Sequence, residues 1–179
     1  KYTYTASEIQ PDMLNADITK TTDSPSWGGL YLQYFEKFDQ VQQQKGILSV
    51  TKKLFIEKIG SDGKQELLPL GKEKLKTGDK VITRLTLSLK QDMDFLYLKD
   101  FRAACFEPIG QLSGNQWKFG TVYYEESKDA VTNFFFNSLA KGTYVLEYPV
   151  WVNQAGTYQD GIATFQSMYA PESVSYTHL

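Results

Sequence analysis

An antiparallel β-sandwich with at most one or two short helices is the fold this sequence predicts, on three observations. Aromatic residues fill 15% of the 179 positions, and aromatic and β-branched side chains suit a pleated, half-buried surface. Several segments alternate apolar and polar residues with period two. Turn residues punctuate these segments at short intervals.

The elements follow in chain order. In the first forty-odd residues, Pro11, Asp23-Ser24-Pro25-Ser26 and Gly28-Gly29 interrupt short apolar pieces, of which Trp27–Phe38 is the strongest. Gln40 to Gly46 reads as a polar connector, with Glu36–Lys45 able to form two or three helical turns. A domain boundary is therefore placed after residue 43, giving units 1–43 and 44–179. Leu48–Ile59 reads as a strand, and Gly60-Ser61-Asp62-Gly63 as a hairpin turn. After the turn Thr77-Gly78-Asp79-Lys80, the residues Val81, Thr83, Leu85, Leu87 and Leu89 alternate with Ile82, Arg84, Thr86, Ser88 and Lys90. That gives one apolar and one mostly polar face, as a half-buried strand requires. Phe95–Lys99, Val122–Tyr124, Thr143–Val152 and Ile162–Tyr169 are further strands, with Asn153-Gln154-Ala155-Gly156 read as a second hairpin.

Asp129–Leu139 is ambiguous. Val131, Phe135 and Leu139 share a helical face, yet Asn133-Phe134-Phe135-Phe136 reads equally as a buried strand, which is favoured. Next, Leu139-Ala140-Lys141-Gly142-Thr143-Tyr144 has the form L-x-x-G-x-Y. In Greek-key sandwiches such a Tyr turns its hydroxyl back onto nearby backbone and locks a corner.

Composition narrows the function. The net charge is −2, so no clustered basic excess marks a nucleic-acid surface. His178, the one histidine, leaves no multi-His metal site, and Cys105 has no internal disulfide partner. Residues 1–10 carry no signal-peptide pattern, and no run approaches the ~20 apolar residues of a membrane span. An opening without Met suggests a segment of a longer chain.

Catalytic chemistry is sparse. Asp92, Asp94, Glu107, Glu125, Glu126 and Asp129 could supply a glycosidase pair, but such carboxyls must face one another at about 5–5.5 Å or about 6.5–9.5 Å across a cleft. Asp92-Met93-Asp94 lacks the remaining positions of a calcium loop. Cys105, with no histidine near it, reads as a small core hydrophobe. Gly28-Gly29 and Gly110…Gly114 lack the lysine of a phosphate loop. No enzyme motif emerges, and no cofactor is implied. Trp27, Trp117 and Trp151 leave open a carbohydrate-binding module that stacks sugar rings. Arg102, Glu107 and Glu172 are placed to fix loops by charge-assisted hydrogen bonds.

The succession from Gly78 to Pro108, then from Leu112 through Met168-Tyr169-Ala170-Pro171-Glu172, resembles the C-terminal macroglobulin-like (MG10-type) domain of bacterial alpha-2-macroglobulin family proteins. The match spans about residues 46–176. Trp27 to Val41 resembles the last strands of the CUB-like segment that precedes it. The resemblance implies a fibronectin/macroglobulin-like sandwich within a large, multi-domain protease inhibitor of the bacterial cell envelope, periplasmic or outer-membrane associated. It implies contact with a thioester domain and a CUB-like domain of the same polypeptide. Target proteases are met through the full-length protein, and the membrane only through a lipid anchor.

In that family a C-x-E-Q motif of a separate domain forms the thioester. Here Cys105-Phe106-Glu107-Pro108 has Pro in place of Gln, so no thioester forms in this chain. The resemblance assigns Met168 and Tyr169 to the interdomain interface, as a lid over the neighbouring thioester. One departure is Ser173 after Glu172, where Phe is common; it implies a weaker contact there.

Overall fold

A computed structural model describes residues 2–15, 17–33, 46–71, 74–110, 112–118, 120–170 and 174–177. The chain divides into two compact units, Lys1–Phe35 and Glu36–Leu179. The first contains one 3-10 turn, Pro11–Leu14, with Pro at its start, where a missing N–H costs nothing. Its described side chains are exposed, and Thr5 donates through both its N–H and its hydroxyl to Glu8 Oε2. No strand forms among its described residues, including 27–33 of the apolar piece Trp27–Phe38. The rest of that piece, the possible helix Glu36–Lys45, the boundary at 43 and His178 lie outside the described residues.

The second unit is all-β among its described residues. Its strands are β1 (Leu48–Ile59), β2 (Gln65–Pro69), β3 (Lys80–Leu89), β4 (Met93–Phe101), β5 (Phe106–Pro108), β6 (Gly114–Lys118), β7 (Thr121–Ser127), β8 (Val131–Leu139), β9 (Gly142–Val152), β10 (Ala163–Ser167) and β11 (Val174–Thr177). They form a five-stranded sheet, β2-β1-β3-β9-β5, and a six-stranded sheet, β11-β10-β4-β8-β7-β6. All pairs are antiparallel. Asp129–Leu139 resolves as strand over Val131–Leu139, because Phe134 and Phe136 are buried between the sheets.

The alternating residues of β3 point inward as the pattern requires. Val81, Thr83, Leu85, Leu87 and Leu89 are all buried, and join Leu96, Leu98, Phe134, Phe136, Leu146, Val150 and Phe165 in one core. Burying each large apolar side chain stabilises by roughly 1.5–3 kcal/mol.

One corner of the sandwich is doubly crossed. Leu89 faces Gly142 in the first sheet, while Met93 faces Leu139 in the second. The β3–β4 and β8–β9 links therefore pass side by side from sheet to sheet. Asp92 Oδ1 accepts the Lys141 N–H at 2.7 Å, so its carboxylate holds the turn. The Tyr144 hydroxyl donates to the Ala140 carbonyl at 3.0 Å, which is the corner lock expected of L-x-x-G-x-Y.

One expected turn is overturned. Asn153-Gln154-Ala155-Gly156 does not close a hairpin, since β9 and β10 belong to different sheets. It opens a crossover, residues 153–162. β9 is already flanked by β3 and β5, leaving no free edge for β10.

Candidate interaction site

At the end of β10 the chain bends at Met168 and Tyr169, beside Phe95 of β4. The Met168 N–H donates to the Phe95 carbonyl at 2.9 Å, extending the β10–β4 ladder by one bond. The Phe95 and Tyr169 rings meet edge to face, centroids 5.1 Å apart and planes at 84°. Edge-to-face geometry places a positive ring edge against a negative face, and adds about 0.5–1.5 kcal/mol beyond burial.

Despite that contact, all three side chains are open to solvent: Phe95 is 49% exposed, Met168 54% and Tyr169 77%. Phe95 also has φ of +51°, the one positive φ at a non-glycine residue among those described. Left-handed backbone costs an L-residue roughly 1–2 kcal/mol. The β4–β8 ladder pairs Asp94 with Ser138 and Leu96 with Phe136, leaving Phe95 unpaired between them. A strained backbone thus presents an aromatic ring at the surface, where burial alone gives no reason for it.

Met168 and Tyr169 are the residues that the family resemblance assigns to an interface, whereas Phe95 is not singled out, since nothing local in Asp94-Phe95-Leu96 signals positive φ. Arg102 does fix a loop: its guanidinium donates to the Lys128 and Asp129 carbonyls and to the Thr132 hydroxyl. Glu107 is exposed on β5 and makes no such bond among the described residues. Pro171, Glu172 and Ser173 lie outside them.

The other candidates separate. Glu125 is buried inside β7, where burial pushes its carboxyl up. Glu126 is on the opposite face, accepting from Asn133 Nδ2 at 2.8 Å. Adjacent strand residues point to opposite faces, so these two carboxylates cannot face across a cleft. The Cys105 thiol is buried, which raises its pKa and leaves it a poor nucleophile. Trp117 lies exposed on β6 of the six-stranded sheet and Trp151 exposed on β9 of the five-stranded sheet. They do not share one platform. Trp117 instead begins an outer band that continues through Val122 and Tyr124 to Phe135 and Tyr97, the last two stacked at 4.9 Å.

Residues 48–172 match the family model of the bacterial alpha-2-macroglobulin MG10 domain. The chain belongs to this family. Solved structures agree on the fold. A tyrosine-to-glycine mutant of Salmonella alpha-2-macroglobulin superposes with a TM-score of 0.59 at 18% identity, covering 76% of this chain and 9% of that one. The Salmonella protein reacted with methylamine gives 0.58 at 18% identity, with the same coverage. Escherichia coli alpha-2-macroglobulin activated by porcine elastase gives 0.56 at 17% identity, covering 74% of this chain and 12% of that one. This chain thus spans about a tenth of the length of these relatives. No curated protein sequence matches it.

Proposed function

We propose that this MG10 domain is a non-catalytic interaction domain of a large bacterial alpha-2-macroglobulin-like protease inhibitor. In this reading Met168 and Tyr169, propped by Phe95, lie against a neighbouring thioester domain and keep water from its bond. The observation that carries it is the exposed Met168–Tyr169 pair held against a strained Phe95. An apolar lid excludes a hydrolytic nucleophile until cleavage moves the domains apart. The related Salmonella protein reacts with methylamine and the E. coli protein is activated by elastase, which suits a protected electrophile released by a protease. The parent would work in the cell envelope, with a CUB-like segment preceding this domain and a lipid anchor as its one tie to the membrane.

The test is methylamine incorporation by the uncleaved full-length parent. Replacing Met168 and Tyr169 by Ala should speed it several-fold. Equal rates in parent and variant, or no incorporation by either even after protease treatment, would contradict the shield.

A further inference from the structure

Between the sheets lies a cluster of charge that the contact at Met168 does not use. Lys52 sits on β1 at the inward positions shared by Leu48, Val50 and Leu54, and is 2% exposed. Asp100, at the inward end of β4, is fully buried. Asp160 reaches in from the β9–β10 crossover. Lys52 Nζ stands 2.9 Å from Asp100 Oδ1 and 2.9 Å from Asp160 Oδ2.

The amine's directed hydrogen bonds go elsewhere, to the carbonyls of Phe101 at 2.7 Å and Gly161 at 3.3 Å. Asp100 Oδ1 and Asp160 Oδ2 meet Nζ in ion-pair contact without hydrogen-bond alignment, and Asp160 Oδ1 is buried with no hydrogen-bond partner among the described residues. The other Asp100 oxygen accepts from the Tyr148 hydroxyl. Gly161 is pressed onto Phe101, where a Cβ would meet the Phe101 carbonyl at 2.6 Å. The crossover, and Asp160 with it, is thereby seated against the end of β4.

A buried ammonium beside two carboxylates leaves an excess negative charge out of water, which is costly. Moving one proton from Nζ to Asp100 removes the adjacent charges. Burial pushes the Asp100 carboxyl up despite the pull of Lys52, which favours the protonated acid. Condensation would require this pairing of a neutral amine with a protonated carboxyl. Both amine N–H groups then have carbonyl acceptors, which leaves the nitrogen lone pair free for the carboxyl.

We infer that Lys52 and Asp100 condense to an intramolecular isopeptide bond across the two sheets, with Asp160 carrying the proton. The Nζ lone pair adds to Asp100 Cγ, and the Tyr148 hydroxyl hydrogen-bonds the oxygen that gains charge. Asp160 takes the proton from Nζ and returns it to the departing hydroxyl. The Cγ–O bond breaks, water leaves, and an Nζ–Cγ amide remains. No oxidant or cofactor enters. Asp160, at 15% side-chain exposure, gives the water a path to solvent.

The test is the intact mass of the full chain, purified in the folded state and then denatured, with a proteolytic map. The expected result is a mass lower than that of the sequence by one water, and a branched peptide joining Lys52 to Asp100. Asp100→Asn should lose ammonia instead, and Lys52→Met should lose nothing. Asp160→Asn should keep its water. A wild-type mass equal to that of the sequence overturns the bond, without reference to any variant. So does a water loss mapped to an unbranched succinimide at Asp160-Gly161, or a branch at Asp160. Water loss by Asp160→Asn overturns the role of that carboxylate.

Discussion

Tyr169 stands edge-on to Phe95, ring centroids 5.1 Å apart, while Tyr169 remains largely in solvent and Phe95 is half exposed. Phe95 reaches that position with a left-handed backbone. A residue strained for its own fold's sake would be buried; one strained to present a ring to a partner would look like this one.

Replacing Phe95 by Gly separates those cases. Gly accepts positive φ without steric cost, while a half-buried ring and its edge contact with Tyr169 are lost. Denaturant unfolding of Phe95→Gly should show stability within about 1 kcal/mol of the parent, the relieved strain offsetting the lost ring contact. A loss above about 2 kcal/mol would make Phe95 an ordinary packing residue.

Gly161→Ala should do the reverse. Its Cβ would stand 2.3 Å from Phe101 Cβ, and relieving such an overlap costs about 1–3 kcal/mol. The denaturant midpoint should fall accordingly.

The corner lock is a single hydrogen bond. Tyr144→Phe removes the donor to the Ala140 carbonyl and keeps the ring, so unfolding should show a loss of about 1 kcal/mol. No loss would mean that Asp92 and Lys141 hold the corner unaided.

Much of this fold was legible because burial follows a period of two. β1 and β3 were readable from Leu48, Val50 and Leu54 and from Val81 to Leu89, and the Tyr144 corner from its six-residue motif. β2 escaped because Gln65-Glu66-Leu67-Leu68-Pro69 is exposed throughout and takes its shape from pairing with β1. β5 has three residues, too few to show alternation. Asn153 to Gly156 has turn composition, but composition does not say which sheet the next strand joins. The Lys52 cluster did leave a trace, since Lys52 and Asp100 occupy inward positions of apolar strands. Their meeting with Asp160 depends on packing one sheet over the other, which no local pattern records.

Glu125 left the same trace beside Tyr123 and predicts a pH dependence. Burial raises its folded pKa above the unfolded value, with Lys118 opposing. The folded state then holds its proton more tightly, so this group's contribution is full below the unfolded pKa and is lost as pH rises through the folded one. Glu125→Gln should therefore raise the thermal midpoint at pH 7, and the gain should shrink towards pH 4. A gain independent of pH would contradict this.

Met168 meeting a partner domain is the central claim. Peroxide oxidation of Met168 in the uncleaved full-length parent, timed against free methionine and read by peptide mass, tests that contact directly. Oxidation at least ten-fold slower than the free amino acid, and accelerated by protease cleavage of the parent, is the predicted result. Oxidation as fast as free methionine before cleavage would show an uncovered surface and contradict the account.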